Sequence, residues 1–332
     1  MTASPTHTDP ALIDMMDAVF AEHAQNPDLW QRLDELGLVR LTGAEEHGGS
    51  GAGWFEAAEL LAAAVRHAAR IPLAEHDLLA CWLLDANGMA ADRAVRTVCV
   101  LDDQGTAVAV PWASRADRIV VAWPSGDAYR VADVDPGTLR ITAGANMIGE
   151  PRDQVIGVDL QGAPMAAALV AQLRLKSALV RSIQVCAALD RILQLCIEHA
   201  TSRIQFGRAL NKFQAVQNLI SDVAAEAALA RAATEAALTM AVTSQWSARN
   251  LDFLVAVARS CTGHAASIVV RNAHQVHGAI GTTREHSLHE FTRAAFAWRS
   301  EFGSVGYWDD QATGAALRAG ATGLWGLITS PG

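Results

Sequence analysis

The motif Arg203-Ile204-Gln205-Phe206-Gly207-Arg208 lies where two long segments without glycine or proline meet, and Phe213-Gln214-Ala215-Val216-Gln217 follows it. The two segments are residues 165–206 and 208–262. In both of them apolar residues recur at three- and four-residue spacing, as Val185, Leu189 and Ile192 do, which puts them on one helix face. Such amphipathic helices, with alanine on their flanks, pack closely as a bundle. The sequence therefore predicts a helical bundle in the C-terminal part of the chain.

Two other regions precede the bundle. From residue 11 to 91 the apolar spacing predicts helices, among them segments at 29–36 and 55–67. From 96 to 159 short β-branched runs alternate with glycine and proline, which is the pattern of a small antiparallel sheet. We therefore predict an α+β, mainly α fold. It has an N-terminal helical domain at 1–92, a reduced middle β domain at 93–160 and a C-terminal four-helix bundle at 161–332.

Composition excludes several functional classes. A net charge of -9 without a basic stripe argues against a nucleic-acid partner. The five cysteines are scattered and none forms a C-x-x-C pair, so neither a disulfide framework nor a cysteine zinc site is indicated. The first twenty residues carry no Lys or Arg, which does not fit a signal or transit peptide, and polar residues interrupt the apolar stretches. We expect a cytoplasmic protein without a membrane or nucleic-acid partner.

Three motifs resemble those of the acyl-CoA dehydrogenase family and occur in that family's order. The stretch from Arg203 to Gln217 resembles its R-x-x-F-G…F-Q-x-x-Q signature. The turn Gln275-Val276-His277-Gly278-Ala279-Ile280-Gly281 is similar to its Q-x-x-G-G-x-G segment. Near the N-terminus, Glu45-Glu46-His47-Gly48-Gly49 resembles its P-E-E-x-G-G turn. The resemblance spans most of the chain and implies an FAD-dependent oxidoreductase that acts on acyl-CoA thioesters.

In the resembled family these motifs contact the ADP half of FAD across a subunit interface. An arginine can pair with a diphosphate through two parallel hydrogen bonds, an aromatic ring can lie against the adenine or ribose, and glycine lets the backbone approach closely. The resemblance implies the cofactor-binding residues Arg203, Gln205, Phe206, Phe213, Gln214, Gln217, Gln275, Gly278, Ala279 and Gly281. Ala279 departs from the family, which usually has a second glycine there. The alternative is a purely structural role, in which Arg203 caps a helix, Phe206 belongs to the core and the glycines only turn the chain.

The family's catalytic base is not found at either of its usual positions. Removal of the α-proton of a thioester needs a carboxylate. One family position falls on Phe302, so Glu301 stands one residue early and would be turned by about 100° on a helix. The other falls on Ser177, and no Asp or Glu occurs from 160 to 189. The family's D/E-x-x-R element for CoA and its flavin-ring loop are not evident either.

These departures favour a subunit that lacks the base, similar to one subunit of the actinobacterial α2β2 acyl-CoA dehydrogenases of steroid side-chain breakdown. The resemblance implies FAD as cofactor, and as partners a homologous catalytic subunit, an acyl-CoA and an electron-transfer acceptor protein. Two alternatives remain open. The first is a homomeric dehydrogenase that uses Glu301 as base, and the second is a flavin-free helical scaffold for protein interaction.

Two features of the C-terminal part lie outside the resemblance. His274 and His277 are three residues apart, as are His286 and His289, but no carboxylate or cysteine accompanies them in a ligand pattern. We therefore predict no metal site. The stretch 317–328, with Leu324 and Trp325, is predicted to form a last helix that docks on a partner.

Overall fold

The computed structural model describes residues 8–329. The chain divides into two compact units, residues 1–177 and 178–332, and the division falls within one long helix. The predicted α+β, mainly α fold class is confirmed. The three-domain boundaries stay a prediction.

The first unit begins with short helices. They are α1 (Pro10–His23), α2 (Leu29–Glu35), α3 (Trp54–Arg66) and α4 (Trp82–Ala86), with a π-helical segment, Ala74–Cys81, directly before α4. The Asp9 carboxylate accepts a hydrogen bond from the Ala11 backbone N–H at 2.9 Å and so caps α1. Phe20, Leu33 and Leu79 are fully buried. The helices predicted at 29–36 and 55–67 are present as α2 and α3.

Seven strands follow in the same unit and form two sheets. They are β1 (Arg96–Val100), β2 (Thr106–Pro111), β3 (Arg118–Ser125), β4 (Ala128–Val134), β5 (Arg140–Thr142), β6 (Arg152–Ile156) and β7 (Ala163–Met165). One sheet has the order β1-β3-β4-β7 and the other β2-β6-β5. The expectation of a purely antiparallel sheet is wrong for β1 and β3, which pair in parallel. The reason is that β2 crosses to the second sheet, so β3 returns beside β1 in the same direction.

The second unit contains the helical bundle, except for residues 167–177 of its first helix, which belong to the first unit. The long helices are α5 (Ala167–Ser202), α6 (Gln214–Thr243), α7 (Leu251–His277) and α9 (Val305–Thr329), and α8 (Leu288–Trp298) is shorter. A two-stranded hairpin of β8 (Ile204–Gln205) and β9 (Arg208–Ala209) joins α5 to α6. Val185, Leu189 and Ile192 are fully buried, as the predicted stripe requires. The last helix is interrupted at Gly320, where φ is 65°.

Two segments of this unit are rich in apolar residues. Leu251–Thr282 is long and apolar enough to cross a membrane, but 61% of its most apolar window is buried inside the protein, and the core helix of a soluble protein passes the same test. On α9, Leu317 and Trp325 are 76% and 73% exposed. Docking of this last helix on a partner stays a prediction.

Candidate functional site

The hairpin between α5 and α6 presents an aromatic ring at its tip. Ile204 and Gln205 pair with Ala209 and Arg208, so Phe206 and Gly207 form the two-residue turn. Their φ angles are 51° and 78°, as a turn that matches the twist of the strands requires. Glycine adopts such angles freely, whereas phenylalanine adopts them at a cost. Phe206 is 91% exposed, which excludes the alternative that it belongs to the core.

The polar residues of the motif lie exposed around this tip. Arg203, Gln205, Gln214 and Gln217 are all exposed. The ring of Phe213 lies 6.2 Å from that of Phe206, centroid to centroid, in an edge-on arrangement. The guanidinium of Arg208 lies over the Phe213 ring, 4.1 Å from its centre. The hairpin therefore gathers cationic, amide and aromatic groups on one exposed surface.

The end of α7 carries the second motif. Gly278 ends the helix with φ 62° and ψ -143°, a conformation that essentially only glycine adopts, and a Cβ there would meet open space. Gln275 and Ala279 are exposed. Gly281 is buried, and a Cβ at this position would come within 2.8 Å of the His277 Cβ. The first glycine is thus required by backbone conformation and the second by internal packing.

The end of α5 lies beside the end of α7. The imidazole of His199 stacks on that of His277 with ring centres 4.6 Å apart. His199 lies one turn before Arg203, and His277 directly precedes Gly278. The two motifs therefore begin from neighbouring helix ends.

These exposed residues fit the nucleotide half of FAD. The set contains a guanidinium for a diphosphate, amides for hydroxyl and phosphate oxygens, and an exposed ring for an adenine face. It contains no carboxylate among its predicted members, so nothing in it repels a phosphate. The same set offers no obvious partner for the flavin ring.

Glu301, the one carboxylate near the first family position for the base, is held by an arginine. The Arg181 Nε donates to the Glu301 Oε2 at 2.7 Å, and the two side chains are 1% and 13% exposed. The Arg181 guanidinium also lies 5.1 Å from the centre of the Phe302 ring. Phe302 itself has φ 54°, so the loop at this point is in the left-handed region. An ion pair with a buried guanidinium fixes the orientation of the carboxylate.

A second buried arginine fastens the same loop. The Arg259 Nη2 donates to the backbone oxygens of Arg299 and Glu301 at 2.9 and 2.7 Å. Its Nε and Nη1 have no hydrogen-bond partner among the described residues. Burial, together with the charge of Arg181, lowers the pKa of Arg259 to about 9, while Glu301 opposes the shift. The loop after α8 is therefore built around two guanidinium groups and one carboxylate.

The second family position for the base holds a serine whose hydroxyl already makes a hydrogen bond within the helix. Ser177 is 4% exposed, and its Oγ donates to the Leu173 backbone oxygen at 2.8 Å. The neighbouring Lys176 lies between two indoles, with its Nζ 4.6 Å from the Trp54 ring centre and 4.5 Å from that of Trp82. Burial lowers the pKa of Lys176 to about 7, and Asp77 opposes the shift. The helix at the second family position therefore carries a hydroxyl next to a buried amine, and no carboxylate.

Sequence reasoning missed four residues that define these sites: Lys176, Arg181, His199 and Arg259. A signal was available for three of them, because Lys176, Arg181 and Arg259 interrupt otherwise apolar helix faces. Charged residues are almost never fully buried unless they are paired, so such an interruption indicates a buried partner. Which partner it is depends on contacts between distant parts of the chain.

Comparisons with known proteins identify the family. The model of the acyl-CoA dehydrogenase N-terminal domain matches residues 9–94, and that of the C-terminal domain matches residues 168–305. The acyl-CoA dehydrogenase IpdE2 of Mycobacterium tuberculosis is 28% identical over 304 residues, which are 87% of this chain and 86% of that protein.

Two solved structures have the same fold. A chain of the ChsE4-ChsE5 complex from Mycobacterium tuberculosis has a TM-score of 0.82 at 22% identity, covering 95% of this chain and 99% of that chain. A chain of the Tcur3481-Tcur3483 steroid ACAD has a TM-score of 0.82 at 19% identity, covering 94% of this chain and 98% of that one. Both matches run over nearly the whole chain, through the helices, sheets and bundle described above. These structures show the shared fold, and the two domain models, which together match more than half of the chain, show that it belongs to the acyl-CoA dehydrogenase family of oxidoreductases.

Proposed function

We propose that the chain is the subunit of a two-subunit, FAD-dependent acyl-CoA dehydrogenase that contributes the ADP half of the cofactor site. A homologous partner subunit supplies the catalytic glutamate in an α2β2 assembly. The reaction is α,β-dehydrogenation of an acyl-CoA thioester, followed by transfer of the electrons to an acceptor protein. The observation that carries the proposal is the ion pair between Glu301 and Arg181.

A general base must be oriented so that it lies within hydrogen-bond reach of the proton that it removes. The Glu301 carboxylate is tied to the buried Arg181 at 2.7 Å, and the backbone oxygen of the same residue is tied to Arg259. Removing this carboxylate from its partner would leave a guanidinium buried without its counter-charge, which is strongly unfavourable. The pair therefore argues for a structural role of Glu301 in the loop after α8.

The second position supports the same proposal. Ser177 cannot act as a carboxylate base, because its side chain is a hydroxyl that donates its proton to the Leu173 backbone oxygen. Neither of the family's two positions thus offers a base in this chain. A dehydrogenase built with this subunit needs the base from elsewhere, which is the role proposed for the partner.

The exposed surface at the hairpin supplies the other half of the proposal. Arg203 would pair with the diphosphate, Phe206 would lie on the adenine or ribose, and Gln214 and Gln217 would bind polar groups nearby. When bound, FAD accepts the hydride from the substrate β-carbon. The names of two structural neighbours, a ChsE4-ChsE5 complex and a Tcur3481-Tcur3483 steroid ACAD, support a two-component assembly and a steroid-derived acyl group.

Replacement of Glu301 tests the proposal. In the purified complex, Glu301→Gln should change turnover per bound flavin by less than about threefold, or below ~0.7 kcal/mol of barrier. The same substitution should lower the free energy of unfolding by on the order of 2 kcal/mol, because Arg181 loses a charge-assisted hydrogen bond. Flavin absorbance and helix content are read from the same sample, so loss of cofactor or of fold is visible.

The matched control is Glu198→Gln, which changes a surface glutamate of α5 that is 61% exposed. It should leave turnover unchanged and lower the free energy of unfolding by less than about 1 kcal/mol, because its ion pair with Arg191 lies at the surface. Replacement of the partner's glutamate should abolish activity. If Glu301→Gln instead cuts turnover at least a hundredfold with flavin still bound, Glu301 is the base and the homomeric alternative replaces this proposal.

A further inference from the structure

Three histidines from distant parts of the chain meet at the ends of α5 and α7. His199 lies in the last turn of α5, His277 is the last residue of α7, and His286 precedes α8. One ring nitrogen of each lies within 4.8 Å of those of the other two. His277 is stacked on His199 and meets His286 edge-on, with ring centres 4.6 Å apart in both pairs. The cluster lies within the second unit.

The central histidine has one nitrogen oriented and the other unused. The His277 Nδ1 is 2.8 Å from the Ala273 backbone oxygen, so it carries the proton and donates it to that carbonyl. The Nε2 therefore presents a lone pair. Although His277 is only 5% exposed, its Nε2 has no hydrogen-bond partner among the described residues. A buried polar atom of this kind is rare in folded proteins, and a water molecule or an ion would satisfy it.

This arrangement is the one found around metal ligands. A metal-bound histidine almost always donates its other ring N–H to a carboxylate or a backbone carbonyl, which fixes the tautomer and the ring orientation. His277 makes this contact before any ion is present.

Both other ligands must rotate, and His199 most of all. The lone pair of an imidazole nitrogen lies in the ring plane, so the His199 ring must turn out of its stack on His277 before both can bind one ion. Nitrogens bound to one zinc ion lie about 3.3 Å apart, since each Zn–N bond is about 2.0–2.1 Å. His199 and His286 are partly exposed, so their side chains have room to rotate toward His277. The His286 Nδ1 accepts a hydrogen bond from the Leu288 backbone N–H at 3.1 Å. Coordination through the Nε2 of His286 moves its proton to Nδ1 and replaces that one contact.

We propose that His199, His277 and His286 form a binding site for one divalent transition-metal ion, with Zn²⁺ as the best fit. Three imidazoles suit zinc, copper and nickel, whereas calcium and magnesium need oxygen ligands that the cluster does not offer. A water molecule would take the fourth position of a tetrahedral zinc ion. The bound ion would clamp the end of α5 to the end of α7, the two points from which Arg203 and Gly278 extend.

Titration of the untagged, full-length chain with Zn²⁺ tests the site, after removal of metals with a chelator. Calorimetry should give one ion per chain, and Co²⁺ in its place should give the intense visible absorption of a tetrahedral centre. His199→Gln and His286→Gln should each weaken binding at least about tenfold. Both substitutions are at partly exposed positions, and helix content is checked by circular dichroism.

The matched control is His264→Gln, because His264 is 61% exposed and paired with Asp309 outside the cluster. This variant should bind Zn²⁺ like the wild type. The proposal is overturned if the wild-type chain binds no ion at stoichiometric Zn²⁺. It is also overturned if binding persists in the variant that carries both His199→Gln and His286→Gln, or if binding falls equally in the control. The outcome is independent of the proposed dehydrogenase role, since the readout is metal binding.

Discussion

Phe206 combines two features that are costly for a side chain with only a structural role. Its backbone lies in the left-handed region at φ 51°, which costs roughly 1–2 kcal/mol for a residue other than glycine. Its ring is 91% exposed to water. Covering a phenylalanine ring contributes about 1.5–3 kcal/mol, which is enough to offset the backbone cost. Both features are therefore explained if the ring is covered by a ligand such as an adenine.

Arg203 is the residue for which the cofactor prediction is sharpest. In the co-purified complex, Arg203→Ala should lower flavin retention about tenfold or more, because a charge-assisted bidentate contact contributes on the order of 1.5–3 kcal/mol. The fold should be intact, since the side chain is exposed. Flavin released on dilution is the measurement.

Arg249→Ala provides the comparison for that experiment. Arg249 is also an exposed arginine, but it lies between α6 and α7, away from the hairpin. Its replacement should leave flavin retention at the wild-type value. Equal retention in both variants would remove Arg203 from the cofactor site.

At the scale of single residues, the sequence predicted site residues that are close together in the chain and missed those that are far apart. The hairpin residues from Arg203 to Gln217 follow one another closely, so a motif could bring them together. Arg181 and Glu301 are 120 positions apart, and no local pattern joins them. The stacking of His199 on His277 is equally non-local, and no spacing in the sequence indicates it.

Among the elements, α5 carries the most unusual buried group. Lys176 is 2% exposed and lies between the Trp54 and Trp82 rings. Burial lowers its pKa from 10.5 to about 7, and the faces of the two indoles oppose this change because they favour the cation. Below pH 7 the folded chain must therefore bury a charge that the unfolded chain exposes to water.

The pH dependence of stability follows from that shift. Because the folded pKa lies below the unfolded one, the unfolded chain binds the extra proton between pH 7 and 10.5, and wild-type stability rises with pH in this window. The variant Lys176→Met lacks this proton. The free energy of unfolding of this variant should exceed that of the wild type by the largest amount below pH 7. The difference should shrink by about 1.4 kcal/mol per pH unit above pH 7. Urea unfolding at several pH values measures the difference.

Lys212→Met is the control, since Lys212 is an exposed lysine in the turn Leu210–Lys212 before α6. This variant retains Lys176, so its free energy of unfolding should depend on pH as that of the wild type does. A gap between wild type and Lys176→Met that does not vary with pH would show that Lys176 keeps its charge throughout this range.

The elements also show where periodicity is sufficient and where it is not. Apolar spacing predicted α2, α3 and the buried stripe of α5, because one helix face is decided by residues close in sequence. The β-branched runs predicted strands, but not the parallel pairing of β1 with β3. Strand order depends on the crossover of β2 into the other sheet, and no alternation within a strand encodes it.

For the whole molecule, the proposed function predicts a protein that is incomplete alone. Expressed without a partner, the chain should form an oligomer, with little bound flavin and no acyl-CoA dehydrogenase activity. The long apolar helices of the bundle present more than one face for such self-association. Co-expressed with its catalytic partner, it should give a complex with about half as many flavins as chains. Light scattering and flavin absorbance on the same column measure both quantities, and a yellow, active protein from this chain alone would contradict the proposal.

The exposed apolar side chains have a consequence for the living cell. Ile204 and Phe206 at the hairpin and Leu317 and Trp325 on α9 are 67%, 91%, 76% and 73% exposed. Exposed apolar surface is a liability for aggregation unless a partner covers it. An orphan copy of this chain, made in excess of its partner, would therefore be recognised by chaperones and degraded by proteases more rapidly than the assembled form. Quality control would thus match the abundance of the two proteins, and the half-life of this chain should lengthen when its partner is overproduced.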